Sequence, residues 1–295
     1  MTPTSSFYIS TLSKESLENE LMPELPEVET VRRGLLTHAV GRTITQAEQL
    51  HPRALNPRSI GKLQSIEGAR ILDIRRRGKF LWFVLNRPEV IAAHLGMSGQ
   101  FLINPADDRH TRAKFRLRKG LKNSELHFND QRTFGWVSIE EIVDGVPTSV
   151  LSIAPDIFEE SYDQKLVISD IQRRNIAIKT AILNQNIVSG IGNIYADESL
   201  WLAKVHPEKR ANEMRRSEIE RVLESAKEVM AKAIEVGGTS FDELYINVNG
   251  ESGYFDISLN AYGQEGEPCP RCGKLIRRIK FANRSSHFCP KCQKI

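Results

Sequence analysis

Cysteine is absent from the first 268 of the 295 residues, and all four thiols fall in the last 27. A secreted disulfide scaffold would spread its cysteines along the chain, so this distribution favours a reducing compartment and a local metal site. Long apolar runs are also missing; none approaches the roughly 18–20 residues that a membrane span needs. The first 21 residues hold eight Ser or Thr, three Glu, one Lys and no Arg. They have neither the basic start and apolar middle of a secretory signal nor the arginine-rich, acid-poor character of a transit peptide. A disordered tail, or a start placed too far upstream, is the expectation for them. Acidic residues are missing from the last 27 residues, which carry eight Lys or Arg.

With 40% apolar residues the chain reads as globular, and its length suggests about two domains. The formal net charge is only +4. Its distribution is more informative. Besides the acid-free terminus, basic groups cluster at Arg75-Arg76-Arg77-Gly78-Lys79, between Arg109 and Lys122, and at Arg173-Arg174 with Lys179. Any one cluster is compatible with a solvated face; four together favour a polyanionic partner.

Pro26 to about His38 is expected to form a helix, with Pro26 in its first turn and Val28, Val31 and Leu35 on one face. From Gly41 to Ile142 the pattern changes to short strands, including 70–74, 80–85, 90–95 and 114–118, which predicts an antiparallel sandwich or barrel. Residues 147–163 read as a linker. Helical periodicity resumes near Ser169, with Ile171, Ile178, Ile182 and Leu183 on one face, then at 195–202, and most clearly at 217–236, stopped by Gly237-Gly238.

Four motifs carry chemistry. Cys269-x2-Cys272-x16-Cys289-x2-Cys292 has the spacing of a four-thiolate zinc site, which leaves no open coordination position and is therefore structural; a pair of redox dithiols is the competing reading. The stretch between the pairs alternates like a hairpin whose tip carries Asn283 and Arg284, suited to gripping a phosphate. Gly190-Ile191-Gly192-Asn193 precedes a helix, where backbone can approach closely and the helix amino end attracts phosphate, although taken alone the motif reads better as an interhelical turn. Met97, in His94-Leu95-Gly96-Met97-Ser98-Gly99, and Arg132 with Phe134 could wedge into a base stack; singly, Met97 and Phe134 would be core residues.

The fourth motif is Met22-Pro23-Glu24-Leu25-Pro26-Glu27. An N-terminal proline is a secondary amine with a pKa near ~7.7–8.0, able to attack an electrophilic carbon and form an iminium. Glu24 would supply the acid beside it. While residues 1–22 remain attached, the Pro23 nitrogen is an amide and cannot do this. Met22 is therefore read as the working start, with the methionine removed.

Taken together, residues 23–30, 94–99 and 190–200 and the four cysteines, in this order, resemble the bacterial formamidopyrimidine-DNA glycosylase (8-oxoguanine DNA glycosylase/AP lyase) family from Met22 to Lys294. The resemblance implies an α+β chain: an N-terminal antiparallel β-sandwich joined to a helical, helix–two-turn–helix domain with a zinc finger. It assigns Pro23 as nucleophile and Glu24 as acid. Lys79 and Arg284 become phosphate grips that assist β- and δ-elimination. Met97, Arg132 and Phe134 fill the gap left by a flipped nucleotide, and His110, Asn175, Lys179 and Asn193 contact DNA. One structural Zn2+ is implied at Cys269, Cys272, Cys289 and Cys292.

The sequence departs from the family pattern at Thr133, where many members have a second arginine, at Asn175, often Lys or Arg, and around His110. The expected domains are an extension over 1–22, a catalytic domain over 23–150, the helical domain with a lesion-reading loop over 151–260, and the finger over 261–295. A cytoplasmic, nucleoid-associated monomer acting on double-stranded DNA with oxidised bases is expected, with no membrane association. Three rivals stay open. One is the endonuclease VIII branch for oxidised pyrimidines, against which Leu25 argues. The others are a non-catalytic damaged-DNA binder, if residues 1–22 are retained, and a zinc-ribbon RNA binder.

Overall fold

The computed structural model describes residues 22–237, 248 and 259–295. The expected extension before Met22 and most of the expected lesion-reading loop lie outside the described residues. Among the described residues no helix is long and apolar enough to cross a membrane.

Helix α1 (Leu25–Ala39) begins where Glu24 turns extended, with proline in the first turn, and the Glu27 carboxylate reaches back to accept the Glu24 N–H at 2.9 Å. Its apolar residues serve two cores. Val28, Val31, Leu35 and Ala39 pack into the β-domain, whereas Leu25 belongs to the core of the helical domain. Full burial of one leucine contributes about 1.5–3 kcal/mol, so α1 pins the two domains together at its first residue.

The expected sandwich is present. Its four-stranded sheet has the order β1 (Thr43–Gln49), β6 (Thr111–Lys119), β7 (Lys122–Asp130), β5 (Gly99–Ile103). The five-stranded sheet runs β2 (Ile71–Arg77), β3 (Phe80–Leu85), β4 (Glu89–His94), β8 (Trp136–Val143), β9 (Val146–Pro147). Every strand pairing in the two sheets is antiparallel. Strand β6 shows why the sequence folds this way: Ala113, Phe115 and Leu117 are buried, while Arg112, Lys114 and Arg116 face outward.

The helical domain contains α2 (Gln164–Gln172), α3 (Ile178–Ile182), α4 (Asn193–Ala203) and α5 (Arg216–Val236). The single helical face expected from Ser169 through Leu183 is corrected: residues 173–177 interrupt it. Ala177 bridges to Arg210, and the Ala211 and Ile178 N–H groups donate to Ile176 and Lys209 carbonyls, so this segment pairs as extended backbone. Helix α5 buries Ile219, Val222, Leu223, Ala226, Met230 and Ala233, and Gly237 caps it at φ +91°. Strands β10 (Arg277–Phe281) and β11 (Arg284–Phe288) form the expected hairpin between the cysteine pairs.

The segment expected as a linker is an interdomain clamp. Buried Asp156 accepts from Arg76 at 2.6 Å and from the Gly78 N–H at 2.9 Å, and Arg76 also bonds Glu29 at 3.1 Å. Arg77 pairs with Glu159 at 3.0 Å. Burial pushes the Glu29 carboxyl up, but Arg32 and Arg76 outweigh it and hold the pKa at about 2. Gly78 adopts φ +54°, and a side chain there would meet Ser189. The clamp thus fixes the β2–β3 turn, and Lys79 with it, against the helical domain.

Candidate active site and nucleic-acid interface

Glu24 is buried against the amino end of α4. Its carboxylate accepts the Gly192 N–H at 2.8 Å, the Ile194 N–H at 2.9 Å and, more weakly, the Tyr195 N–H at 3.4 Å. The sequence suggested an anion at this helix start, with phosphate as the candidate. The structure puts the chain's own carboxylate there, which satisfies the orphan amides of the first turn. Both glycines of Gly190-Ile191-Gly192 are needed for this. A methyl on Gly192 would overlap the Glu24 carboxyl carbon, and one on Gly190 would overlap Leu25.

Burial pushes the Glu24 carboxyl up to about 7, against the lowering effect of Lys79 and of the helix amides, while Glu27 adds to the rise. Burial together with Arg284 holds the Lys79 ammonium below its ordinary value, opposed by Glu24 and Glu27. Among the described residues neither Lys79 nor Arg284 has a carboxylate within ion-pair distance. Arg284 is exposed at the start of β11. Two uncommitted cations beside a carboxyl poised near neutrality suit phosphate binding with proton transfer. Pro23, partly exposed, adjoins this group directly.

The wedge candidates lie on two adjoining turns. Phe134 is 59% exposed, an unusual position for a large aromatic residue, and Met97 and Arg132 are partly exposed. His110 is partly exposed nearby; its carbonyl accepts the Asp130 N–H at 2.9 Å. Asn175 is exposed, and its side-chain oxygen accepts from Arg210 at 3.2 Å, so a cation does stand beside this position.

Two of the expected DNA-contact residues lie inside the fold. Lys179 is fully buried, paired with Asp197 at 2.7 Å and donating to the Ser285 carbonyl at 3.0 Å. Asn193 is also buried and donates to the Ser285 carbonyl at 3.2 Å. Both hold the finger hairpin to α4 instead of facing solvent. Asp197 completes the joint by accepting the His287 N–H and the Ser286 hydroxyl, each at 2.8 Å.

Sequence reasoning missed three contributors. Tyr195 donates its hydroxyl to Glu27 at 2.8 Å, locking the turn that carries Glu24. His94 packs on Phe80, with ring centroids 4.7 Å apart, and accepts the Gly96 N–H at Nδ1. Burial and the nearby Lys79 push its pKa down to about 4, so it is a neutral imidazole beside the site. Its place in the Met97 motif was the available signal. Asp156, described above, gave none.

The four cysteine sulfurs lie within 4.8 Å of one another. A zinc–thiolate tetrahedron with bonds of about 2.3 Å has edges of about 3.8 Å, so the four residues fit one Zn2+. The Trp201 indole N–H donates to Cys269 Sγ at 3.4 Å, and Arg271 covers the Trp201 ring at 4.0 Å. Such outer contacts orient a metal's thiolates. Helix α4 therefore carries the acid's anchor at one end and the finger's along its length.

Comparison with known proteins accords with this geometry. The profile of the formamidopyrimidine-DNA glycosylase N-terminal domain matches residues 22–137, that of the formamidopyrimidine-DNA glycosylase H2TH domain residues 153–244, and that of a zinc finger found in FPG and IleRS residues 266–295. Formamidopyrimidine-DNA glycosylase of Corynebacterium glutamicum (strain R) is 52% identical over 287 residues, covering 92% of this chain and 99% of that one. Its namesake from Rhodococcus erythropolis is 50% identical, covering 92% and 97%. Among solved structures, MutM (Fpg) from Thermus thermophilus superposes with a TM-score of 0.81 at 36% identity, covering 92% of this chain and 98% of that one. The Lactococcus lactis Fpg in complex with abasic-site DNA gives 0.81 at 35%, covering 92% and 100%. With both domains, the finger and nearly the whole length of these relatives matched, the chain belongs to the formamidopyrimidine-DNA glycosylase family.

Proposed function

We propose that this chain is a bifunctional DNA glycosylase and AP lyase of base excision repair, acting on oxidised purines in double-stranded DNA. The observation that carries the mechanism is Glu24, buried at the α4 amino end beside Pro23 with a pKa of about 7. The Pro23 amine attacks the sugar C1′, the bond to the damaged base breaks, and Glu24 delivers a proton to the opening sugar. The iminium that results makes the C2′ proton acidic. Its loss expels the 3′ phosphate, and a second elimination expels the 5′ phosphate, with Lys79 and Arg284 holding the phosphates. Met97, Arg132 and Phe134 occupy the space of the everted nucleotide. Cytoplasmic, nucleoid-associated action in a bacterium follows from this role. Leu25, filling the contact with Gly190, supports the purine branch over the endonuclease VIII branch.

The reading requires a free amine on Pro23, and the matched region beginning at residue 22 supports it. Protein beginning at Pro23 is expected to be trapped on abasic DNA by borohydride, whereas protein retaining residues 1–22 is not. An equally abundant adduct from both forms would sink Pro23 as nucleophile.

The pH profile provides a second test. The amine is reactive when neutral, above ~7.7–8.0, and Glu24 is protonated below about 7. Base excision is therefore expected to follow a bell-shaped curve peaking between these values. Cleavage of a preformed, ring-opened abasic aldehyde needs no proton from Glu24 and should lack the alkaline limb. An alkaline limb shared by both substrates would argue against Glu24 as the acid.

A further inference from the structure

We propose that Asp130 is the positioning residue of the wedge, a single carboxylate that sets Met97, Arg132 and Phe134 in register; this rests on the wedge reading above. Asp130 is fully buried at the end of β7. Its Oδ1 accepts the Ser98 hydroxyl at 2.5 Å and the Arg132 N–H at 3.2 Å, and its Oδ2 accepts the Gly135 N–H at 2.7 Å. The Ser98 oxygen in turn accepts the Arg132 N–H at 2.9 Å. Each of these bonds falls on a wedge residue or its neighbour: Ser98 follows Met97, the amide is that of Arg132 itself, and Gly135 follows Phe134.

The two turns also touch directly. Gly96 has φ +62°, and a methyl on it would run into the Phe134–Gly135 peptide. Between the fixed points Thr133 adopts φ +58°, a left-handed conformation that a β-branched residue resists. Strain of this kind persists only where the surroundings over-determine it. Folding alone gains nothing from a turn that leaves Phe134 exposed in water. Among the described residues no ion pair neutralises Asp130; neutral O–H and N–H donors alone hold it. Asparagine at 130 keeps the shape but replaces one acceptor oxygen with a donor, which cannot serve both Ser98 and the Arg132 and Gly135 amides. The turns would then uncouple without emptying the core.

The test compares two DNAs with protein beginning at Pro23. Attack on an abasic aldehyde in single-stranded DNA requires no wedge, so borohydride trapping there counts chemically competent molecules. Asp130→Asn is expected to trap like the parent on that DNA, yet to lose about 10²-fold in kcat/KM on duplex 8-oxoguanine. The family resemblance places Arg132 against the cytosine opposite the lesion, so the preference for cytosine over adenine there should also collapse once Arg132 is no longer held. Parental turnover and preference would overturn the proposal, and so would an equal loss on both DNAs, which marks a general structural role. If Asp130→Asn does not fold, Ser98→Ala removes one donor and carries the same test: a smaller loss with weakened preference supports the proposal, and unchanged preference overturns it. Phe134→Ala is the reference. If it leaves duplex turnover intact, the wedge reading itself fails and the proposal with it.

Discussion

Gly192→Ala is expected to lower base excision by about 10²–10⁴-fold, the range contributed by a positioned general acid. The substitution adds one methyl group. Gly192 has φ −114° and ψ −161°, open to any residue, so backbone strain does not contribute. The effect is steric: the methyl would occupy the position of the Glu24 carboxyl group. The carboxyl must then leave the Gly192 and Ile194 amides, and with them the buried setting that raises its pKa to about 7. An acid displaced towards water reverts to the ordinary carboxylate range and is ionised at neutral pH. Single-turnover excision of 8-oxoguanine measures the loss, and a double-mutant cycle with Glu24→Gln assigns it. If Gly192 acts through Glu24, its substitution costs little once Glu24 is gone. Additive losses would show that the glycine acts elsewhere, for instance on the stability of α4.

Removal of zinc is expected to abolish the second elimination. Structural zinc contributes about 10–16 kcal/mol of apparent binding energy in isolated fingers, far more than the small cluster of Trp201, Ala261, Cys269, Ile276 and Cys289 can replace. Without the metal the β10–β11 hairpin loses its clamp, and Arg284 loses its fixed position beside Lys79. The products should then stop at the β-elimination aldehyde rather than the β,δ-elimination phosphate, with weakened DNA binding. Arg284→Ala in zinc-loaded protein should shift the products in the same direction while leaving the melting temperature intact. Cys289→Ser should shift both. Full β,δ products from chelator-stripped protein would refute this assignment of the finger.

The parts legible in the sequence are those fixed by local chemistry. The four-cysteine spacing, the proline–glutamate pair and the strong periodicity of α5 each identify a feature within a few residues. Strand alternation predicted a sandwich or barrel; the two-sheet pairing decided for the sandwich. The broken helix at 173–177 was not legible, because apolar spacing across the break still matches a helix, and pairing with residues 209–211 overrides it. The burial of Lys179 was not legible for a related reason. A lysine within a basic region gives no sign of burial along the chain, because its partners Asp197, 18 residues later, and Ser285, 106 residues later, are brought to it only by the fold.

The sequence by itself determined the inventory of candidates: a proline with an adjacent acid, two candidate phosphate grips, candidate wedge residues and a zinc ligand set, with the family they resemble. Only the tertiary structure decided the state of those groups. It buried Glu24 at the start of a helix 168 residues away and raised its pKa. It left Lys79 and Arg284 without an ion-pair partner among the described residues, turned Lys179 and Asn193 inward, and tied the turns carrying Met97, Arg132 and Phe134 to Asp130. The physical reason is that identity and short-range periodicity are properties of neighbours along the chain, whereas desolvation, charge pairing and steric exclusion are properties of neighbours in space.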